Sequence, residues 1–291
     1  MIPPKFDYYA PGTLDEAIGL LERHQGEAKV LAGGQSLLPL MKLRLAEPKA
    51  LIDINRIPKL AYIREEGEQL RIGAATKINA LNDSEVIRTH YPLFSDAGMH
   101  IADPLVRNMG TVGGNVCHGD PGNDLPACML ASGASFVVRG PSGERALAAK
   151  EFYRDTFVTA LEPSEILTEV RLPKYRAGDG GAYLKMERKV GDFAIAAVAA
   201  RLRSDAKGTI AEAGIALTNA GPTAILAVKA GERLANRAGT DADFLDSGRL
   251  AAEAAQPTSD LRGPAEFKKA VIQTLTQRTL QRAWERAKGR S

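Results

Sequence analysis

Apolar positions along this chain switch between two periods. Leu14, Ala17, Ile18 and Leu21 fall on one face of a helix. Thr13-Leu14-Asp15-Glu16 reads as a capping box, with Thr13 as the cap and Glu16 reaching back, and Gln25-Gly26 closes the helix. Ala28 to Leu31 and Ala50 to Ile54 are short strand-like runs. Ala61 to Ile63 and Leu70 to Ile72 flank Glu65-Glu66-Gly67-Glu68, which reads as a hairpin turn. Ile78 to Ile87 has a helical pattern. The segment 101–127, IADPLVRNMGTVGGNVCHGDPGNDLPA, is dense in Gly, Asn, Asp and Pro and reads as a long functional loop.

Ser135 to Arg139 and Ile166 to Leu172 are strands, and PKYRAGDGG at 173–181 is a linker. Beyond it, Ala182 to Met186, Ala194 to Leu202, Thr209 to Leu217 and Ile225 to Val228 suggest a sheet, although the alanine run at 194–202 also suits a helix. The chain closes with a helix from Pro264, in its first turn, to about Lys288, with Phe267, Val271, Leu275 and Trp284 near one face. No internal repeat is present.

With 291 residues, the chain is long enough for two domains. No apolar run is long enough to span a bilayer, and the start lacks a signal-peptide pattern, so the expectation is a cytoplasmic protein. A net charge of +3 and an aromatic fraction of 5% argue against nucleic acid as a partner. Two cysteines, Cys117 and Cys128, are too few for a disulfide framework or an iron–sulfur cluster. The four scattered histidines form no helical pair, so no protein-held metal is expected.

Two loops carry adjacent glycines. The first is Ala32-Gly33-Gly34-Gln35-Ser36 and the second Thr111-Val112-Gly113-Gly114-Asn115. Glycine lets a ligand approach the backbone closely, and successive free N–H groups make an anion-binding concavity. Either loop alone is more simply a turn. Two of them, each beside a strand-like run, suit the two phosphates of a pyrophosphate. Neither G-x-G-x-x-G after the first strand nor G-x-x-x-x-G-K-[ST] is present, so the usual dinucleotide and P-loop devices are excluded.

AGGQS at 32–36, IADPLVRNMG at 101–110, TVGGN at 111–115, GDPGNDLP at 119–126 and RKVGDFAIAAVA at 188–199 together resemble the FAD-binding medium subunits of the molybdenum hydroxylases. Within that family the resemblance is strongest to flavoprotein subunits of aerobic carbon monoxide dehydrogenases, and nearly as strong to those of nicotine, xanthine and aldehyde dehydrogenases. It implies an α+β fold of the vanillyl-alcohol-oxidase (PCMH) type: an FAD-binding domain over 1–176, with subdomains about 1–57 and 58–176, and a C-terminal α+β domain over 177–291 with a three-stranded sheet and helices.

The resemblance further implies that Ala32, Gly33, Gly34, Gln35 and Ser36, with Thr111, Gly113, Gly114 and Asn115, hold the FAD pyrophosphate through backbone N–H groups. It places Asp124 at the adenosine end, Ile101 and Ala102 along the cofactor cleft, and Lys185, Asp192 and Phe193 near the flavin ring. Many carbon monoxide dehydrogenase relatives carry Tyr where this chain has Phe193 and His where it has Gln35.

On the same footing, FAD is expected to be non-covalent. Molybdopterin and the [2Fe–2S] clusters are expected on a large and a small partner subunit, in a dimer of heterotrimers. Electrons would leave to NAD, a quinone, a cytochrome or oxygen, and any membrane association would be peripheral, through the complex. Alternatives are a free-standing FAD oxidoreductase of the same fold and a binding or scaffold protein whose glycine loops merely turn. Cys117, His118 and Asp120 could be drawn as metal ligands, Asp120 and Asp124 as an acid–base pair, and Lys185 as a Schiff-base nucleophile. Loop geometry and turn chemistry explain the first two more simply, and nothing else in the sequence supports the third. Arg278, Arg282, Arg286 and Lys288 read as a solvated helix face, or as an interface for an acidic partner subunit.

Overall fold

The computed structural model describes residues 2–289. A small parallel sheet comes first, with Ala50–Asp53 in the middle, Asp7–Tyr9 on one side and Ala28–Leu31 on the other. Parallel strands need a crossover, and helix Leu14–His24 joins the two outer strands. Thr13 caps it by accepting the Glu16 N–H at 3.2 Å. The Glu16 carboxylate reaches back to the Gly12 N–H at 2.9 Å, one residue before the position a capping box requires. Gln25 ends it in the left-handed conformation, with φ 47°. Ala17, Ile18, Leu20 and Leu21 bury against Ala50 and Ile52.

The second sheet is five-stranded and antiparallel, in the order Ile63–Glu66, Gln69–Gly73, Ile166–Pro173, Ser135–Gly140, Gly143–Ala148. Its first hairpin turns in only two residues, Gly67-Glu68, with Gly67 at φ 59°, and the strand before it starts at Ile63, where the apolar run ends. The excursion between the second and fourth of these strands is helical. The single helix expected from Ile78 to Ile87 is two, Ile78–Asp83 and Glu85–His90. Ser84 breaks the pattern because its hydroxyl caps the second helix by accepting the Ile87 N–H.

Helix Pro92–His100 follows. The expected long loop at 101–127 instead contains Pro104–Met109, Val112–Cys117 and the start of Asp124–Ala131. The Asp103 and Thr111 side chains cap the first two and Pro104 opens the first. Residues that signal loops also make helix starts.

Five residues, 174–178, lead to the third sheet, Asp179–Met186, Ala196–Ser204 and Ile210–Thr218, antiparallel, with a two-residue edge strand Ile225–Leu226 where the pattern placed a fourth run, one more than the three strands the resemblance implies. The alanine run is a strand because it is buried on both faces. Ala197 and Ala199 pack toward the core of the preceding half, and Ala196, Val198, Ala200 and Leu202 toward the C-terminal helices. Small side chains let helices come close. A Cβ on Gly214 would lie 2.0 Å from the Ala131 carbonyl oxygen.

Helix Asp241–Ala254 and the long helix Ala265–Ala287 cover the far face. Pro264 stands at the N-cap of the long helix rather than in its first turn. Val271, Ile272, Leu280 and Trp284 are buried, whereas Phe267 is 41% exposed, its ring set beside Gly263 rather than in the core. Arg286, expected on a solvated face, instead joins the two halves of the chain. It donates to Asp96 of helix Pro92–His100 at 2.6 and 3.1 Å, and Arg282 lies 3.5 Å from the same carboxylate. Arg278 and Lys288 are exposed.

Candidate functional site

The first double-glycine loop leaves the edge strand Ala28–Leu31 and enters the short helix Leu37–Lys42. Both glycines are required by geometry. A Cβ on Gly33 would sit 2.6 Å from the Met109 carbonyl oxygen and 2.7 Å from the Gly110 Cα, and Gly34 has φ 74°. Among the described residues, no acceptor takes the N–H of Gly33, Gly34, Gln35 or Ser36. That leaves a row of four unspent donors in a half-exposed turn, and such donors favour an anion. The loop is held from behind by Asn55, whose side-chain amide donates to the Ala32 carbonyl at 2.7 Å.

The second double-glycine loop lies beside the first through the Gly33–Gly110 contact, but its chemistry differs from the expected one. The N–H groups of Val112, Gly113, Gly114 and Asn115 are already spent on Thr76 O, Ala74 O, Thr111 Oγ1 and Thr111 O. Gly113 is small because a Cβ there would lie 2.7 Å from Ala74. This loop is a close-packed helix start rather than a second row of donors. What it offers a ligand is the Asn115 side chain, whose Oδ1 is buried without a partner among the described residues. The Asn115 carbonyl accepts from Asn123 at 2.9 Å and so ties the loop to Asp124.

Asp124 opens helix Asp124–Ala131 and is 5% exposed. Its oxygens accept from Tyr183 Oη at 2.6 Å and face Lys185 Nζ at 3.1 Å. Burial pushes its pKa up, and Lys185 and Tyr183 pull the other way. Tyr183 and Lys185 arrive together because alternate residues of the strand Asp179–Met186 share a face. Lys185 also donates to the His100 carbonyl at 3.1 Å and lies 3.3 Å from Glu187, in ion-pair range.

His100 leads into Ile101 and Ala102. Both of their carbonyls accept from Arg107, and Ala102 takes φ 44°. The turn before Phe193 packs onto this corner, where a Cβ on Gly191 would lie 2.6 Å from the Ala102 carbonyl oxygen. Asp192 accepts from its neighbour's N–H, from Arg262 and from Arg188. Burial raises its pKa, but these donors outweigh it and hold the carboxyl below its usual range. Phe193 is half-exposed over Gly122, with the Arg262 guanidinium 5.8 Å from its ring centre.

The residues singled out from the sequence are linked by a chain of contacts: Gly33 to Gly110, Asn115 to Asn123 beside Asp124, Asp124 to Lys185, Lys185 to the His100 carbonyl, and Ala102 to Gly191 next to Asp192 and Phe193. Those drawn as competing chemistry part company. Asp120 closes a turn by accepting the Gly122 N–H at 2.8 Å, apart from the Asp124 cluster. Burial pushes the Cys117 thiol up to about 12. His118 lies 4.0 Å from Asp120, and burial lowers its pKa against that carboxylate's pull. Among the described residues no three His, Cys, Asp or Glu side chains converge to hold a metal. Asn55, Lys77, Tyr183, Glu187 and Arg262 were not singled out from the sequence. Only the Tyr183–Lys185 alternation offered a local signal.

Two family models span nearly the whole chain. The FAD binding domain in molybdopterin dehydrogenase matches residues 4–175, and the CO dehydrogenase flavoprotein C-terminal domain matches residues 181–283. The chain belongs to the FAD-binding medium subunits of the molybdenum hydroxylases, with their PCMH-type fold. It is 45% identical over 286 residues to the carbon monoxide dehydrogenase medium chain of Hydrogenophaga pseudoflava, covering 98% of this chain and 99% of that one. It is 35% identical to the 6-hydroxypseudooxynicotine dehydrogenase complex subunit alpha of Paenarthrobacter nicotinovorans, over 99% of this chain and 97% of that one. A solved Hydrogenophaga pseudoflava carbon monoxide dehydrogenase superposes with a TM-score of 0.96 at 46% identity, covering 98% of this chain and 99% of that one. Quinoline 2-oxidoreductase from Pseudomonas putida 86 superposes at 0.92 and 30% identity, covering 99% of each.

The cofactor is FAD, and the residues present fit it. Unspent N–H groups beside glycines that exclude a Cβ suit a phosphate, and the orphaned Asn115 oxygen suits a polar ligand group.

Proposed function

We propose that this chain is the electron-transfer subunit of a three-subunit molybdenum hydroxylase, assembled as a dimer of heterotrimers. Its FAD is held non-covalently and supplies the redox chemistry when bound. The Gly33–Ser36 N–H groups bind pyrophosphate. Thr111, Gly113 and Gly114 shape the packed wall of the site, and Asn115 supplies a side-chain contact there. Asp124, held by Tyr183 and Lys185, stands at the same end of the cofactor as Lys185 rather than at an adenosine end apart from it. Ile101 and Ala102 line the cleft, and Lys185, Asp192 and Phe193 flank the ring. No proton acceptor for substrate is required of this chain, because the substrate reacts at the molybdenum centre of a large partner. Electrons would then pass through [2Fe–2S] clusters of a small partner to the FAD held by this chain, and from there to an external acceptor, which is NAD, a quinone, a cytochrome or oxygen. The complex works in the cytoplasm, with any membrane contact made peripherally.

Similarity over the full length supports a carbon monoxide dehydrogenase-like complex. Phe193 and Gln35 depart from the Tyr and His of many such subunits, and they favour as second reading a medium subunit serving a nicotine, xanthine or aldehyde dehydrogenase.

The observation that carries this reading is the row of four unspent N–H donors at a glycine pair. Gly33→Val would force a methyl-bearing carbon into the Met109 carbonyl and part the two loops. The assembled complex carrying it should retain less than about one tenth of the flavin, as expected when several charge-assisted hydrogen bonds are lost. Flavin content per complex, read from visible absorbance, is the check, and wild-type retention would contradict the assignment.

A further inference from the structure

Residue 77 sits where the two double-glycine loops meet. Its backbone forms an antiparallel bridge with Thr111. Its side chain crosses to the other loop's support, with Lys77 Nζ donating to the Met109 carbonyl at 3.0 Å and to Asn55 Oδ1 at 3.3 Å. The Met109 carbonyl is the group against which Gly33 packs, and the same Asn55 amide holds the Ala32 carbonyl. An ammonium has three donors, and these contacts use two.

A carboxylate stands close by. Asp53 accepts from Tyr8 Oη at 2.6 Å and from the backbone and side chain of Asn55, the residue that Lys77 also contacts. Burial lowers the Lys77 pKa, and Asp53 pulls the other way. A carboxylate this near a row of anion-seeking N–H groups works against an anion unless a cation offsets it.

Resting on the FAD reading above, we propose that Lys77 is a further cofactor-binding residue. Its ammonium clasps the two glycine loops together, offsets Asp53, and gives its remaining donor to the pyrophosphate.

The test is FAD titration of the deflavinated, assembled complex, followed by flavin fluorescence at low and high salt, with 31P NMR of the bound FAD. Lys77→Gln should weaken FAD binding about tenfold or more and flatten the salt dependence. Lys77→Arg should restore most of the affinity, and both should move the pyrophosphate phosphorus signals. Asp53→Asn added to Lys77→Gln should recover part of the loss. If Lys77→Gln weakens binding while its salt dependence and phosphorus signals match wild type, the residue only props the loops and the proposal fails. Wild-type affinity in Lys77→Gln overturns it outright. A wild-type complex that binds no FAD overturns the underlying flavin reading instead.

Discussion

At the scale of single residues, the buried charges around Lys185 show how tightly the site is determined. The ammonium, 1% exposed in its side chain, lies between Asp124 and Glu187 and below the His100 carbonyl. Removing it strands a buried carboxylate, which is far more costly than the pair is stabilising. Lys185→Met should lower stability by about 3 kcal/mol in urea unfolding of the flavin-free chain, and adding Asp124→Asn should return much of it. A Lys185→Met change within about 0.5 kcal/mol of wild type, the spread of an ordinary surface substitution, would show that the pair is not closed off from water. Of this cluster, Asp124 and Lys185 were legible in the sequence. Tyr183 and Glu187 were not, because a strand's side-chain partners are chosen by what packs on it from distant parts of the chain.

At the scale of elements, the long C-terminal helix depends on a charge at its entrance. Lys268 is buried in its first turn and donates to Asp260 at 2.8 Å and to the Thr258 carbonyl at 3.0 Å. Burial raises the Asp260 pKa, but Lys268 and the Arg262 N–H overcome this and hold it below the usual aspartate value of 3.8. A lowered folded-state pKa means that this contribution is fully present above the unfolded value. It is lost as pH falls through the folded one. The stability gap between wild type and Asp260→Asn should therefore hold steady from pH 7 to about 5 and close below about 3.8. Denaturant unfolding followed by Trp284 fluorescence reads it, and a gap independent of pH would contradict the ion pair.

Sequence periodicity read elements well where one face meets solvent, as in Leu14–His24. It failed in two ways elsewhere. The alanine strand Ala196–Ser204 is buried on both faces and shows neither period clearly. The segment 101–127 has the composition of a loop because it is mostly helix caps. The second glycine pair was legible as special, but not as a packing device, since nothing local reveals that the Ala74 and Thr76 carbonyls take the Gly113 and Val112 N–H groups.

At the scale of the molecule, the C-terminal sheet joins the two halves of the chain. One face packs on the helices that carry His100 and Asp124, and the other is covered by the terminal helix, which Arg286 fastens back to Asp96. On the proposed function, the FAD site draws on both halves: glycine loops from the first, and Lys185, Asp192 and Phe193 from the second. The central claim is that this joint surface holds FAD for electron transfer. The most direct measurement is the visible spectrum of the purified complex, with mass spectrometry of what acid releases. The account predicts flavin bands, release of intact FAD into the supernatant, and bleaching of those bands when substrate is supplied to the whole complex. A colourless complex that refuses added FAD, or flavin bands that substrate leaves unchanged, would contradict it.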